Sequence, residues 1–121
     1  MPRTDVILYR ELDGSVPLLD WLDLIPEKIR IRCVGLIELL AERGYELRRP
    51  LCDYLDNGVY ELRARGGNVH YRVLYAFVGP NIVLLSHGCT KEKRVARKDI
   101  DRAVLNLERY HQDPEGHTHK E

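Results

Sequence analysis

The spacing of apolar residues changes along this chain, from helical in its first half to alternating in its second. Residues 5–14, DVILYRELDG, begin with a β-branched and aromatic run that predicts a strand, stopped at Asp13-Gly14. SVPLLDWLDLIP, residues 15–26, predicts a short helix with Ser15 as candidate cap, Pro17 near its start, and Leu18, Trp21 and Leu22 on its buried side. From Pro26 to Arg43 the residues Ile29, Cys33, Leu36, Ile37 and Leu40 form one stripe at helical spacing. Pro26 and Glu27 suit the first turn of that helix, and Gly44 suits the position after its last. The two helices are expected to form an antiparallel hairpin through Ile25-Pro26. Gly35, which costs roughly 1 kcal/mol against Ala inside a helix, is expected to let them approach closely.

Beyond Gly44 the period shortens. YELRRPLCDYLDNG reads as a connection with a short extended piece before Asn57-Gly58. Three strands follow, over 59–65, 69–78 and 82–87, separated by Gly66-Gly67 and by Gly79-Pro80-Asn81. A two-residue Gly66-Gly67 turn would set Ala64 against Val69, Leu62 against Tyr71 and Tyr60 against Val73 on an apolar face. The opposite face would pair Arg63 with His70, Glu61 with Arg72 and Val59 with Leu74. His87 is expected at a strand end near Arg72 or Val73, with Gly88 turning the chain. Ile100, Ala103, Val104, Leu107 and Tyr110 predict a last helix over 96–111. The fold class is therefore α+β: a small antiparallel sheet with two N-terminal helices and a C-terminal helix, packed on one side of it. Residues 1–111 are expected as a single domain and 112–121 as a flexible tail.

Charge sharpens this picture only through its distribution. Nineteen Lys and Arg balance nineteen Asp and Glu, which argues against a generally basic nucleic-acid coat. Yet residues 59–98 hold eight basic residues against two acidic ones, and the flanking segments are both acidic. That segregation suits an anionic ligand or an acidic partner. Cys33, Cys52 and Cys89 fit neither a disulfide framework nor a metal-ligand spacing, so reduced thiols in a cytoplasmic protein are expected. No metal or cofactor is implied, and no apolar run is long enough to predict a membrane span.

The candidate chemistry lies on the polar face of the hairpin and in the basic turn after it. Arg63, His70 and Arg72 could surround a phosphate, and Glu61 could orient Arg72 through a charge-assisted hydrogen bond. His87, Lys91, Lys93, Arg94, Arg97 and Lys98 follow in HGCTKEKRVARK. Such a set suits metal-independent cleavage of an RNA phosphodiester by its own 2′-oxygen. A base would take the proton, an acid would protonate the leaving 5′-oxygen, and cations would stabilise the added charge. The competing reading of each residue is plainer. Glu61–Arg72 could be a surface ion pair, His70 a surface residue, His87 a strand-end histidine, and 91–98 a solvated face. Basic residues at the start of the last helix oppose its dipole, with Asp99 and Asp101 available to offset them.

ELRRPLCDYLDNGVYELRARGGNVHYRVLY, followed by IVLLSHGCTKEKRVARKDI and preceded by WLDLIPEKIRIRCVGLIELLAERG, resembles the phage-derived Gp49-like branch of the RelE/HigB toxins, in the RelE/ParE superfamily. The resemblance covers about residues 5–110. It implies a toxin of a type II toxin–antitoxin module, an endoribonuclease that cleaves mRNA on the ribosome and inhibits translation. It also implies a small helix-turn-helix, HigA-like antitoxin as partner, beside ribosome and mRNA. By that resemblance Arg63, Arg72 and Lys91 take the functional positions, with His87 and Lys93 behind them. Four positions depart from the family pattern: Cys89 stands for an aromatic, Glu92 for a lysine, and Val95-Ala96 for Thr-Pro. Cys89 cannot stack on a base. The alternative is a catalytically weak protein of the same fold that binds an antitoxin or inhibits a different target.

Overall fold

Residues 3–91 and 94–120 are described by the structure, a computed structural model, with Lys91 described in its backbone only. Among these residues one sheet runs in the order β2-β3-β4-β5-β1-β6: β1 is Asp5–Tyr9, β2 Cys52–Asp56, β3 Val59–Gly66, β4 Val69–Gly79, β5 Ile82–Lys91 and β6 Thr118–His119. Neighbours are antiparallel except β1 and β5, which run parallel with Asp5 beside Ile82 and Leu8 beside Leu85. The helices are α1 (Pro17–Leu24), α2 (Glu27–Arg43) and α3 (Arg97–Gln112). The α+β class stands. None of the helices is long and apolar enough to cross a membrane.

The helices do not share one side of the sheet. Leu18, Leu22, Ile29, Cys33 and Leu40 from α1 and α2 pack with Leu8, Leu62, Ala64, Val73, Tyr75, Val83 and Leu85. On the other face Ile100 and Ala103 of α3 pack with Val59, Leu74 and Cys89, and Leu107 and Tyr110 pack with Ile7, Tyr9 and Leu84. Alternate residues of each central strand therefore meet different helices. The run Arg72–Ala76 of β4 is buried without a break, as a strand covered on both faces must be.

Local chemistry explains the element ends. Pro17 opens α1, but Ser15 does not cap it; its N–H and hydroxyl both donate to Asp13 Oδ1, at 2.8 and 2.7 Å. Gly44 closes α2 at φ 56°, donating its N–H to the Leu40 carbonyl, and a Cβ there would stand 2.5 Å from Thr4 Oγ1. Gly35 makes no close approach, since a Cβ built on it meets nothing within 4 Å.

Two of the hairpin turns sit where their sequence permits positive φ. Asn57-Gly58 joins β2 to β3 with φ of 51° and 82°, both left-handed as a tight two-residue turn of this kind requires. The β3–β4 turn is Gly67-Asn68 rather than Gly66-Gly67, with Gly67 at φ 61° in the first turn position. Gly66 consequently pairs with Val69, and every expected cross-strand pair moves by two residues. Arg63 opposes Arg72, not His70; Glu61 opposes Leu74, not Arg72; Arg65 opposes His70. An even shift keeps every side chain on its expected face, so the apolar and polar sets survive while their partners change.

β5 is longer than expected, and His87 lies inside it opposite Leu74. The register slips between Leu74 and Tyr75, which pair with His87 and Leu85 and leave Ser86 as an extra residue. This bulge turns both Ser86 and His87 toward α3. Gly88 marks no turn; a Cβ on it would fall 2.1 Å from the Trp21 ring, so it lets α1 lie directly on the strand.

The segment expected to be a flexible tail is held over most of its length. His117 is buried, stacks on Tyr9 with ring centres 5.2 Å apart, and bonds the Arg10 carbonyl through Nδ1 at 2.8 Å. Thr118 and His119 then pair with Tyr9 and Leu8 as β6.

Candidate anion-binding cleft

β3 and β4 carry Glu61, Arg63 and Arg72 on the face that α3 covers, and α3 covers it only in part. The gap left beside its first turn is a cleft of about 420 Å³, lined by Leu55, Asp56, Glu61, Arg63, Arg72, Arg94, Val95, Arg97 and Ile100. Four guanidiniums meet two carboxylates there, against a wall of Leu55, Val95 and Ile100. Nothing in this part of the chain is basic by accident of composition: strand alternation brings Arg63 and Arg72 to one face, and the loop and helix after β5 bring Arg94 and Arg97 across from them.

Glu61 organises the floor. It is 2% exposed, and one of its oxygens, Oε1, lies 2.7 Å from Arg63 Nε and 3.3 Å from Arg72 Nε. Arg63 also reaches Asp53 Oδ2 at 3.1 Å with Nη2. The hydrogen bond and charge of Glu61, helped by Asp53, raise the Arg63 pKa further above its already high value. Burial pushes the Asp53 carboxyl up, but the Arg49 hydrogen bond, the Tyr54 N–H and the charges of Arg49 and Arg63 hold it below its usual value. A carboxylate flanked in this way fixes the direction of each guanidinium fork, and planar forks held in place suit a phosphate or carboxylate ligand.

At the mouth, Arg97 bridges α3 to the β2–β3 turn. It contacts Asp56 through Nη1 and Asp101 Oδ1 through Nε at 3.0 Å. The Arg97 hydrogen bond holds the Asp56 carboxyl below its usual value. Arg97 and Asp99 stand in the first turn of α3, so the carboxylates around that turn offset the unfavourable placement of a cation at a helix N-terminus. Arg94 is exposed and lines the cleft.

The other expected site residues stand elsewhere or are described only in part. His70 is half-buried near the β3–β4 turn, between Arg65 and Lys91 in the pairing, and does not line the cleft. Lys98 is exposed outside it. Lys91 is placed by its backbone at the end of β5, while Lys93 and Glu92 lie outside the described residues. Cys89, standing where the resemblance led us to expect an aromatic, is buried against Val95, Ile100 and Ala103 beneath α3.

His87 is buried under α3 in a chain of hydrogen bonds. Asn106 donates Nδ2–H to Ser86 Oγ at 2.9 Å, and Ser86 Oγ lies 2.8 Å from His87 Nδ1. The Ser86 hydroxyl, accepting from Asn106, is free to donate to Nδ1, which leaves the proton of neutral His87 on Nε2, 3.5 Å from Asp99 Oδ1. Burial pushes the imidazole pKa down to about 4, the charge of Arg102 adds to this, and Asp99 opposes both. The sign follows directly. The unfolded chain takes up a proton near the ordinary value of 6.5 and the folded one only near 4. Stability is thus full above pH 6.5 and falls as pH drops toward 4, by on the order of 3 kcal/mol. Urea unfolding between pH 7.5 and 4 should show this slope, and His87→Gln should flatten it above pH 5.

Asp53, Asp56, Ser86 and Asn106 were not singled out from sequence, and Asp99 was singled out only for its place at the start of the last helix, not as a partner of His87. Asp53 and Asp56 flank the Asn57-Gly58 turn, so the hairpin that turn encodes was a usable signal for their approach to β3. Asp99 and Asn106 offered none, because their partners lie on β5, distant in the chain.

Residues 20–108 match a family described as phage-derived, Gp49-like proteins. No match was found among curated proteins.

Proposed function

The chain belongs to the phage-derived Gp49-like family, and from that membership together with the arginine cleft we propose that it is the toxin of a type II toxin–antitoxin module, cleaving mRNA on the ribosome without a metal. The observation that carries this reading is the buried Glu61, which holds Arg63 and Arg72 at the floor of a cleft that Arg94 and Arg97 also line. The cleft has the chemistry to grip a phosphodiester and to stabilise the extra negative charge that develops when the 2′-oxygen attacks phosphorus. Arg63 and Arg72 act as the phosphate clamp, Glu61 positions them, and Arg94 and Arg97 guide the strand in. Lys91, at the end of β5, stays in the catalytic set through the family resemblance. A small helix-turn-helix antitoxin is the expected partner.

A second reading, a catalytically weak binder of the same fold, draws on a specific observation. Neither His70 nor His87 lines the cleft, so no imidazole there is placed to move a proton. One experiment separates the two. Brief expression followed by mapping of cellular RNA 5′ ends should reveal new ends inside reading frames. Arg63→Ala, which leaves Arg72 beside the buried Glu61, should abolish them while the variant stays folded at a lowered melting temperature, as circular dichroism checks. No new ends from the parent, with growth still arrested, would sink the nuclease and favour the binder.

A further inference from the structure

β5 is ten residues long, but β1 pairs only with its first part, Ile82–Leu85. After Tyr9 the chain leaves the sheet, makes the Glu11–Ser15 turn and enters α1. On this side of Ser86–Lys91 no strand follows among the described residues. A second cleft, of about 510 Å³, opens there, lined by Glu11, Asp13, Asp20, Trp21, Leu24, His87, Gly88 and Arg102 together with Ser15 and Pro17. Gly88 shows part of its backbone in the cleft, and Leu24 on the rim is 84% exposed.

An open strand edge is a template for another chain, and proteins usually blunt one with lysines, proline or a covering loop. This edge ends at Lys91, and Pro17 and the Glu11–Ser15 turn flank it, but the rim of the cleft is acidic. Three carboxylates face one guanidinium across the cleft. Glu11 leans toward Arg109 at 3.9 Å, whereas Asp13 and Asp20 form no ion pair among the described residues. Asp13 keeps its charge to low pH, because the Ser15 N–H and hydroxyl hold its carboxyl below the usual value. Beside these charges lie the Trp21 ring and Leu24, which offer apolar surface to aliphatic side-chain stems.

We propose that the outer edge of β5 beside Gly88 and Thr90, the residues of Ser86–Thr90 that reach the surface, is a docking site for an extended segment of a partner protein that carries lysine or arginine at alternate positions and adds to the sheet as a strand. Main-chain hydrogen bonds supply the affinity, and the carboxylates with Trp21 and Leu24 supply the preference for basic side chains. The site shares no lining residue with the arginine cleft and does not depend on the nuclease reading.

Trp21 is the one tryptophan of the chain and reports on this cleft. The test titrates the full chain with an acetylated, amidated hexapeptide alternating lysine and threonine, followed by Trp21 emission and by amide hydrogen exchange. The result expected is saturable binding with slowed exchange confined to amides of Ser86–Thr90. Asp20→Lys, a change at an exposed residue, should weaken it about tenfold. A peptide N-methylated on alternate residues should not bind, since it cannot form the ladder, and this control needs no variant protein. Equal binding of a glutamate–threonine peptide would overturn the proposal. So would retained binding of the N-methylated peptide, absence of any binding at millimolar peptide, or a concentration-dependent dimer of the chain occupying the edge.

Discussion

Glu61→Ala should lower stability by about 3 kcal/mol and, if the chain is the proposed nuclease, abolish RNA cleavage with it. The magnitude comes from what the substitution leaves behind. Removing one partner of a buried ion pair typically costs about 3–5 kcal/mol, because the other charge stays buried without compensation. Arg72, with its side chain 8% exposed, cannot turn to solvent but has a contact beyond Glu61, whereas Arg63 at 38% can turn, and it keeps Asp53. The lower end of the range therefore applies. The pair itself is weak evidence for stabilisation, since its attraction is offset by the desolvation of both ions. A double variant tests that balance. Glu61→Leu with Arg72→Met replaces the pair by apolar groups and should recover most of the lost stability in urea unfolding, while cleavage stays absent. A double variant as unstable as Glu61→Ala would show that the pair holds the fold up rather than aiming the arginines.

What could be read from the chain was what strand and helix periods encode locally. Alternation in VYELRARGGNVHYRV separated Tyr60, Leu62, Ala64, Val69, Tyr71 and Val73 from Glu61, Arg63, His70 and Arg72, and the structure keeps those two sets. The exact partners were not legible, because a Gly-Gly-Asn sequence allows the two-residue turn to start at either glycine. Gly67 takes the positive φ, and the pairing moves with it. A one-residue error would have exchanged the faces; a two-residue error only re-paired them.

The misses on α3 and His87 share a cause. Covering both faces of a sheet depends on where a distant helix returns, and alternation on one hairpin says nothing about it. A hint was present in Val83-Leu84-Leu85, an unbroken apolar run of the kind that marks a strand buried on both sides. The bulge at Ser86 then breaks the alternation just before His87, so counting along the strand could not place that imidazole. Of the expected site, Arg63, Arg72, Glu61 and Arg97 converge because their faces were set by local period or by the first turn of a helix, and Arg94 joins them from the loop before α3. His70 and His87 do not, because their placement depended on register and on the bulge.

Gly88→Ala should destabilise the protein by about 2–4 kcal/mol, the effect of forcing a group into filled space. An added Cβ would lie 2.1 Å from Trp21 Cδ2 and Cε3, atoms of a ring and not the end of a flexible chain. The ring cannot swing aside cheaply. Its Nε1 donates to Thr90 Oγ1 at 3.1 Å, and it packs at a tilt on Tyr71 with centres 6.4 Å apart. Either α1 lifts from β5 or Trp21 leaves its place. Gly35→Ala is the matched control: its Cβ meets nothing within 4 Å, so the change should stabilise by up to ~1 kcal/mol through helix propensity alone. Coupling identifies the cause. In a Trp21→Ala background the ring is gone, and Gly88→Ala should then cost under about 1 kcal/mol, a strongly non-additive cycle. Additive losses would place the role of Gly88 in its backbone rather than in the contact with α1. The cycle also bears on the acidic cleft, since Trp21 and Gly88 line it together and a displaced ring would reshape the surface on which a basic strand is expected to dock.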